Sequence, residues 1–201
     1  MNKKLKGKYK ERKNLEWSTP GLHKRILELI SAKKGTALDL ACGSGNLING
    51  LIQKGYEVIG VDIENFLFDK KIKFKKADLN KRFPFKNNSF TLVTATEIIE
   101  HLENPRHFFK ELKRILKKDG LAIVSTPNLL NWKARTYYPL RGIIWGFRKK
   151  DYEISGHITP VTKYDFKRIC DEEKLKIERI TYNNSNKEFF GDNLIIIIKK
   201  L

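Results

Sequence analysis

The stretch Ala37-Leu38-Asp39-Leu40-Ala41-Cys42-Gly43-Ser44-Gly45 is an apolar strand that runs straight into a glycine-bearing turn, and an acid, Asp62, closes a second apolar run, Val58-Ile59-Gly60-Val61. Strand, glycine turn, helix, strand, acid is the plan of a βαβ unit that binds a nucleotide. The glycines let the backbone approach the ligand, and an acid at this remove is placed for ribose hydroxyls. A dinucleotide fingerprint needs a third glycine, but Ile48 stands where it would be, and no following lysine marks a phosphate-binding loop. Both common pyrophosphate signatures are therefore missing. The competing reading is a tight strand-to-helix turn with no ligand.

Periodicity extends this unit into an alternating α/β chain. Helices are expected over Gly21 to Ser31, Asn46 to Gln53, Pro105 to Lys118 (stopped at Gly120) and Thr162 to Glu173. Strands are expected over Thr36 to Ala41, Glu57 to Asp62, Ile72 to Ala77, Phe90 to Ala95, Leu121 to Ser125, Lys176 to Tyr182 and Leu194 to Lys199. The short aromatic segment Ile63 to Lys71 leaves room for no more than a stunted crossover helix. Such alternation implies an open, largely parallel sheet, Rossmann-like, with helices on both faces. Its ligands bind outside the carboxyl ends of the strands, where Asp39 to Gly45, Asp62, Asp78, Thr96-Glu97 and Thr126-Pro127-Asn128 should meet.

With 201 residues and 40% hydrophobic content the chain suits one domain with a buried core. Two cysteines, Cys42 and Cys170, supply neither a disulfide framework nor a zinc spacing, which fits a reducing cytoplasm. The longest wholly apolar run, Leu194 to Ile198, is too short to span a bilayer, and the basic start has no apolar signal core. A net charge of +18 attracts nucleic acid, anionic membrane surfaces or phosphorylated substrates, unless it reflects a lysine-rich, heat-adapted surface. Part of it sits in a basic arm over residues 1–20, ahead of a domain over 21–201, and part in the mid-chain segment described below.

The series Asp39 to Gly45, Asp62, Ala77-Asp78-Leu79 and Glu97-Ile98-Ile99-Glu100-His101-Leu102, with the helix-strand block Phe109 to Asn128, resembles the class I S-adenosylmethionine-dependent methyltransferases, of the type 11 and 23 kind. The resemblance implies a seven-stranded, mostly parallel sheet whose last strand is antiparallel. It also implies cofactor contacts from Asp39, Ala41, Gly43, Gly45, Asp62 (ribose), Asp78 and Leu79 (adenine) and Thr96. Ala41 stands where the family usually has its first glycine.

Two carboxylates and an imidazole in Glu97-x-x-Glu100-His101 can ligate magnesium or another divalent metal, or His101 can act as a general base. They can equally be structural, the acids answering a helix dipole and the histidine packing. The pattern is similar to quinone-biosynthesis O-methyltransferases and to RNA 2′-O-methyltransferases with metal assistance, in which a later histidine completes the metal site. His157 is the comparable residue here, so the candidate ligands are Glu97, Glu100, His101 and His157, although the residues after His157 lack the RNA branch's pattern.

The segment Leu129 to Lys150 contains no acid and interleaves aromatics with arginines and lysines. It falls where the family inserts a substrate lid, over about 129–155. Such a surface suits an amphipathic acceptor, an anionic membrane interface or stacked bases. Pro139, Gly142 and Gly146 are expected to break it into pieces. The reading is an O-methyltransferase of a small amphipathic or anionic acceptor (a lipid, quinone-like or saccharide precursor), with catalytic Glu97, Glu100 and His101. An RNA methyltransferase and a non-catalytic S-adenosylmethionine-binding domain are the alternatives.

Overall fold

The computed structural model describes residues 18–32 and 35–201. The basic arm, residues 18–20 excepted, lies outside them. Helix α1 (Leu22–Leu29) leads into β1 (Gly35–Leu40), α2 (Asn46–Gln53), β2 (Tyr56–Asp62), β3 (Lys73–Lys76) and β4 (Phe90–Thr96). A single 3₁₀ turn (Ile99–His101) precedes α3 (Pro105–Ile115), β5 (Leu116–Pro127), α4 (Trp132–Arg141), α5 (Lys149–Ser155), α6 (Lys163–Glu172), β6 (Leu175–Tyr182) and β7 (Asn193–Lys200). The strands form one seven-stranded sheet in the order β3-β2-β1-β4-β5-β7-β6. β7 runs antiparallel to both β5 and β6, and the other pairs are parallel.

Period-2 alternation within continuous apolar runs lets the sheet bury both faces. On one face Leu38, Leu40, Val93, Val124, Ile196 and Ile198 meet Phe108, Phe109 and Leu112 of α3 and Phe166 and Ile169 of α6. On the other, Ala37, Val58, Leu92, Ile123, Ile195 and Ile197 meet Leu22 and Ile26 of α1 and Leu47, Ile48 and Leu51 of α2. The order reverses between β1 and β4, so the chain ends leaving those two strands diverge and open a crevice at the carboxyl edge.

Caps explain where the helices begin. The Asn104 side chain accepts from His107 N ahead of Pro105 at the first turn of α3, and Asn131 accepts from Ala134 N at α4. Thr162 and Asp165 close a reciprocal capping box on α6.

Two expectations change. The helix expected to run to Lys118 stops at Ile115, because residues from Leu116 onward join the sheet as an early part of β5, pairing Leu116 with Phe90 across a bulge. Asn88 N and Ser89 N take up the carbonyls of Arg114 and Ile115, at 3.0 and 2.8 Å, which ends the helix in the sheet. Gly120 is thus a strand residue: a Cβ there would sit 2.8 Å from the Lys117 carbonyl and 3.2 Å from that of Phe90. The segment expected to form a lid folds as two helices, α4 and α5, but Pro139 lies inside α4; the break is made by Gly142 and Gly146, at φ 67° and 87°. No crossover helix forms between β2 and β3. There Phe68 N donates to the Ser44 carbonyl at 3.3 Å, and buried Leu67 packs so close to Gly45 that a Cβ would meet it at 2.8 Å.

Candidate active site

The carboxyl ends of β1 and β2 form one side of the crevice. Ala41, Gly43 and Gly45 all take positive φ, 57°, 51° and 88°, so the turn curls tightly into α2. Asp62 stitches this turn to β2: its Oδ2 accepts from Gly43 N at 3.0 Å and its Oδ1 from Ile63 N at 2.7 Å. Asp39 is buried, and its Oδ1 accepts from Thr94 Oγ1 at 2.7 Å. Burial raises Asp39 to about 7, against the Thr94 hydrogen bond and with the Asp62 charge adding to the rise; burial raises Asp62 to about 6. Asp78 follows β3, with Oδ1 accepting from Asn80 N at 3.0 Å, and Leu79 is buried in the core.

The end of β4 forms the other side. Glu97 has a left-handed backbone (φ 48°), and its carboxylate is fully engaged. It accepts from Thr19 N at 2.8 Å, Thr19 Oγ1 at 2.9 Å and Asn193 Nδ2 at 2.7 Å. Glu97 therefore ties the segment before α1 and the start of β7 to the end of β4. Glu100 is buried in the following turn; its Oε2 accepts from Thr126 Oγ1 at 3.0 Å, and its Oε1 has no protein partner. Burial, then the charge of Glu97, pushes the Glu100 carboxyl well above its ordinary value.

Among the described residues, Glu100, His101 and His157 each bring one ligand atom within 4.8 Å of the others. The His101 and His157 rings meet edge to face at 4.9 Å. His101 Nδ1 is 3.2 Å from the Gly156 carbonyl and His157 Nδ1 is 2.7 Å from that of Gly146. A carbonyl only accepts, so both Nδ1 atoms carry protons. Burial, then His157, lowers His101 to about 4 against the pull of the Gly156 and Glu97 carbonyls, so its ring is neutral at pH 7. The arrangement can accept a proton at a buried imidazole or hold a cation. Of the four sequence candidates it gathers three, while Glu97 turns to Thr19 and Asn193.

Several site residues were not singled out from the sequence. Thr94, a polar residue inside an apolar strand, carries a local signal. Thr19, Asn193 and the two glycine carbonyls carry none, since strand register and chain return bring them in. Thr96 Oγ1 and Asn193 Oδ1 join Glu100 Oε1 as buried polar atoms without a protein partner at this edge.

No helix among the described residues is long and apolar enough to cross a membrane. The ubiquinone biosynthesis O-methyltransferase of Coxiella burnetii is 30% identical over 134 residues, which is 62% of this chain and 57% of that protein. The mitochondrial ubiquinone biosynthesis O-methyltransferase of Rattus norvegicus is 28% identical over 152 residues, 69% of this chain and 41% of that protein. The chain thus spans less than two thirds of the length of these curated relatives. In structure it is similar to the putative methyltransferase solved with the Trm112 activator of Haloferax volcanii, with TM-score 0.70, 16% identity and coverage of 96% and 93% of the two chains. It is also similar to an S-adenosylmethionine-dependent methyltransferase of Archaeoglobus fulgidus, with TM-score 0.65, 18% identity and coverage of 98% and 96%. The family profile described as a methyltransferase domain matches residues 10–179, and the chain belongs to that family.

Proposed function

We propose that this chain transfers the methyl group of S-adenosylmethionine to an oxygen of a small amphipathic or anionic acceptor, a lipid, quinone-like or saccharide precursor. The observation that carries the reading is the trio of buried Glu100 and half-buried His101 and His157 beside the end of β4, next to a glycine-bearing turn. The O-methyltransferase relatives support the oxygen acceptor.

The residues at the carboxyl edge fit the cofactor. Asp62 holds the turn with one lone pair on each oxygen and keeps others for ribose hydroxyls, while Asp39 offers a buried carboxylate to a cationic methionine head. Asp78 and Leu79 are the candidates for the adenine end, and Thr96, whose buried hydroxyl has no protein partner, is the candidate after β4. When bound, the cofactor supplies an electrophilic methyl group on a sulfonium. The protein's part is to align an oxygen nucleophile with it and to remove that oxygen's proton. His101 is suited to accept the proton at Nε2, because burial keeps the ring neutral and its Nδ1–H is held by Gly156.

A divalent ion also fits Glu100, His101 and His157: the carboxyl has an orphan oxygen, and each imidazole is braced at Nδ1 by a carbonyl, as metal-binding histidines usually are. Two imidazoles and a carboxylate suit a borderline ion such as zinc better than magnesium. Such an ion would lower the pKa of the acceptor hydroxyl. Exposed Trp132, Tyr138, Leu140 and Ile143 beside the basic residues of the lid support an amphipathic acceptor.

Transfer of tritiated methyl from S-adenosylmethionine into a fractionated cell extract tests the reading. Label in the lipid or small-molecule fraction is expected, and label in RNA alone would overturn the acceptor class. His101→Ala should lower transfer about 10²- to 10⁴-fold. Calorimetry that finds no S-adenosylmethionine binding would sink the enzyme reading. A Glu100→Gln variant as active as the wild type, with and without EDTA, would remove the metal.

A further inference from the structure

We infer that Arg148 is a positioning residue: through the lid turn it anchors, it sets the ring orientation and tautomer of His157. This deepens the proposed function and rests on its reading of Glu100, His101 and His157 as the acceptor-facing centre.

The bond that fixes the tautomer comes from the lid, since His157 Nδ1 meets the Gly146 carbonyl at 2.7 Å. Gly146 stands at φ 87° with nothing within 4 Å of a would-be Cβ, a left-handed turn residue on the open side of the segment. The direction of its carbonyl is set by its neighbours in the chain. Phe147 N closes the turn on the Ile144 carbonyl at 3.0 Å, and the Phe147 ring lies 5.5 Å from that of His157.

Arg148 holds this turn at three points. Its Nε and Nη2 reach the two Asp151 carboxylate oxygens at 2.7 and 3.0 Å, and its backbone N reaches Asp151 Oδ2 at 2.9 Å. Its guanidinium lies 4.0 Å from the centre of the Trp145 ring, which meets Tyr137 of α4 edge-on at 5.3 Å. The stack therefore spans both lid helices, with Gly146 between Trp145 and Arg148.

The other side of His157 belongs to the site. Ile158 N and Thr159 N donate to the Glu100 carbonyl at 2.9 and 3.0 Å, which registers the backbone after His157 on Glu100. The imidazole is thus shared between a rigid turn and a lid. If the lid turn swings away, His157 loses its Nδ1 acceptor and is free to move its proton to Nε2, the atom a proton or cation would need. Lid closure over an acceptor and completion of the centre become one event.

A purely structural Arg148, capping α5 by its pair with Asp151, would stabilise the helix without touching His157. Long-range ¹H–¹⁵N correlation spectra of the full chain separate the two, because they report the His157 tautomer directly. The wild type is expected to show Nδ1–H with an unprotonated Nε2. Arg148→Ala is expected to shift His157 toward a mixture of tautomers and to weaken Zn²⁺ binding, read by calorimetry, about 10- to 100-fold. S-adenosylmethionine affinity should stay unchanged, since the lid does not enter the glycine turn. Trp145→Leu keeps the Asp151 pair and α5 but removes the stack, and should shift the tautomer in the same direction. An unaltered His157 tautomer in these variants would overturn the inference. A tautomer that shifts in the variants, with a wild type that takes up no Zn²⁺, would leave the positioning role standing and remove only the metal from the proposed function.

Discussion

Ala41 occupies a backbone conformation that favours glycine, at φ 57°, in the turn proposed to hold the cofactor. An L residue loses roughly 1–2 kcal/mol there, of which glycine's extra chain entropy gives back about 0.5–1 kcal/mol. Ala41→Gly should therefore raise stability by about 0.5–1 kcal/mol in urea titrations. The same turn carries a pH signature. Asp39 at about 7 and Asp62 at about 6 both lie above their ordinary 3.8, because burial penalises their charged forms. Without cofactor the folded chain then binds more protons than the unfolded one, so its stability falls as pH rises from about 4 to about 7. A cationic ligand beside Asp39 favours the ionised carboxylate, so cofactor affinity should rise over that window with release of protons. Calorimetry at about pH 6 in buffers of different ionisation enthalpy checks this, and Asp39→Asn should abolish most of the release.

Among the elements, α3 shows how a local signal and a distant one divide the work. Its start is written in Asn104-Pro105, but its end depends on β4 claiming residues 116 onward. Its inner turn also holds the loop before β4. Glu111 accepts from Phe83 N at 2.7 Å and from Arg114 Nη2 at 2.7 Å, while Arg114 donates to the Phe83 and Phe85 carbonyls at 2.9 and 2.7 Å. Glu111→Ala leaves the buried Phe83 N–H without its acceptor and the Arg114 guanidinium without its counter-charge, and should cost about 2–3 kcal/mol by urea unfolding. The hydrogen bonds of Arg114 hold Glu111 below its ordinary value, so its contribution is complete above pH ~4.5 and is lost as pH falls through the lower folded value. The variant's deficit should accordingly shrink in acid.

For the molecule as a whole, the reversal of strand order between β1 and β4 gathers groups from far apart in the chain at one edge. Thr19, Glu97 and Asn193 are joined there by hydrogen bonds, so ligand binding and global folding are coupled. S-adenosylmethionine at about 100 times its Kd should stabilise the fold by about 2.7 kcal/mol, a rise in Tm of roughly 5–10 °C for a chain of this size. Asp62→Ala should lose most of that rise in thermal scans, since it removes both the proposed ribose contact and the brace on Gly43.

The turn proposed for the cofactor was legible because its parts are local: a glycine turn must follow its strand directly, and an acid at a strand end needs no distant partner to be recognised. Asp39, Gly43, Gly45 and Asp62 meet at one turn for that reason, and the alternating pattern carried the α/β class with it. The acceptor side depends on contacts between segments remote in the chain. Glu97, Glu100, His101 and His157 look equivalent as a list of possible ligands. Only the return of β7, which offers Asn193, and the segment before α1, which offers Thr19, draw Glu97 away from the other three. The lid carbonyl that orients His157 is likewise invisible in residue types, since every residue has one. Residue identity supplied the chemistry, and long-range register decided which groups share it.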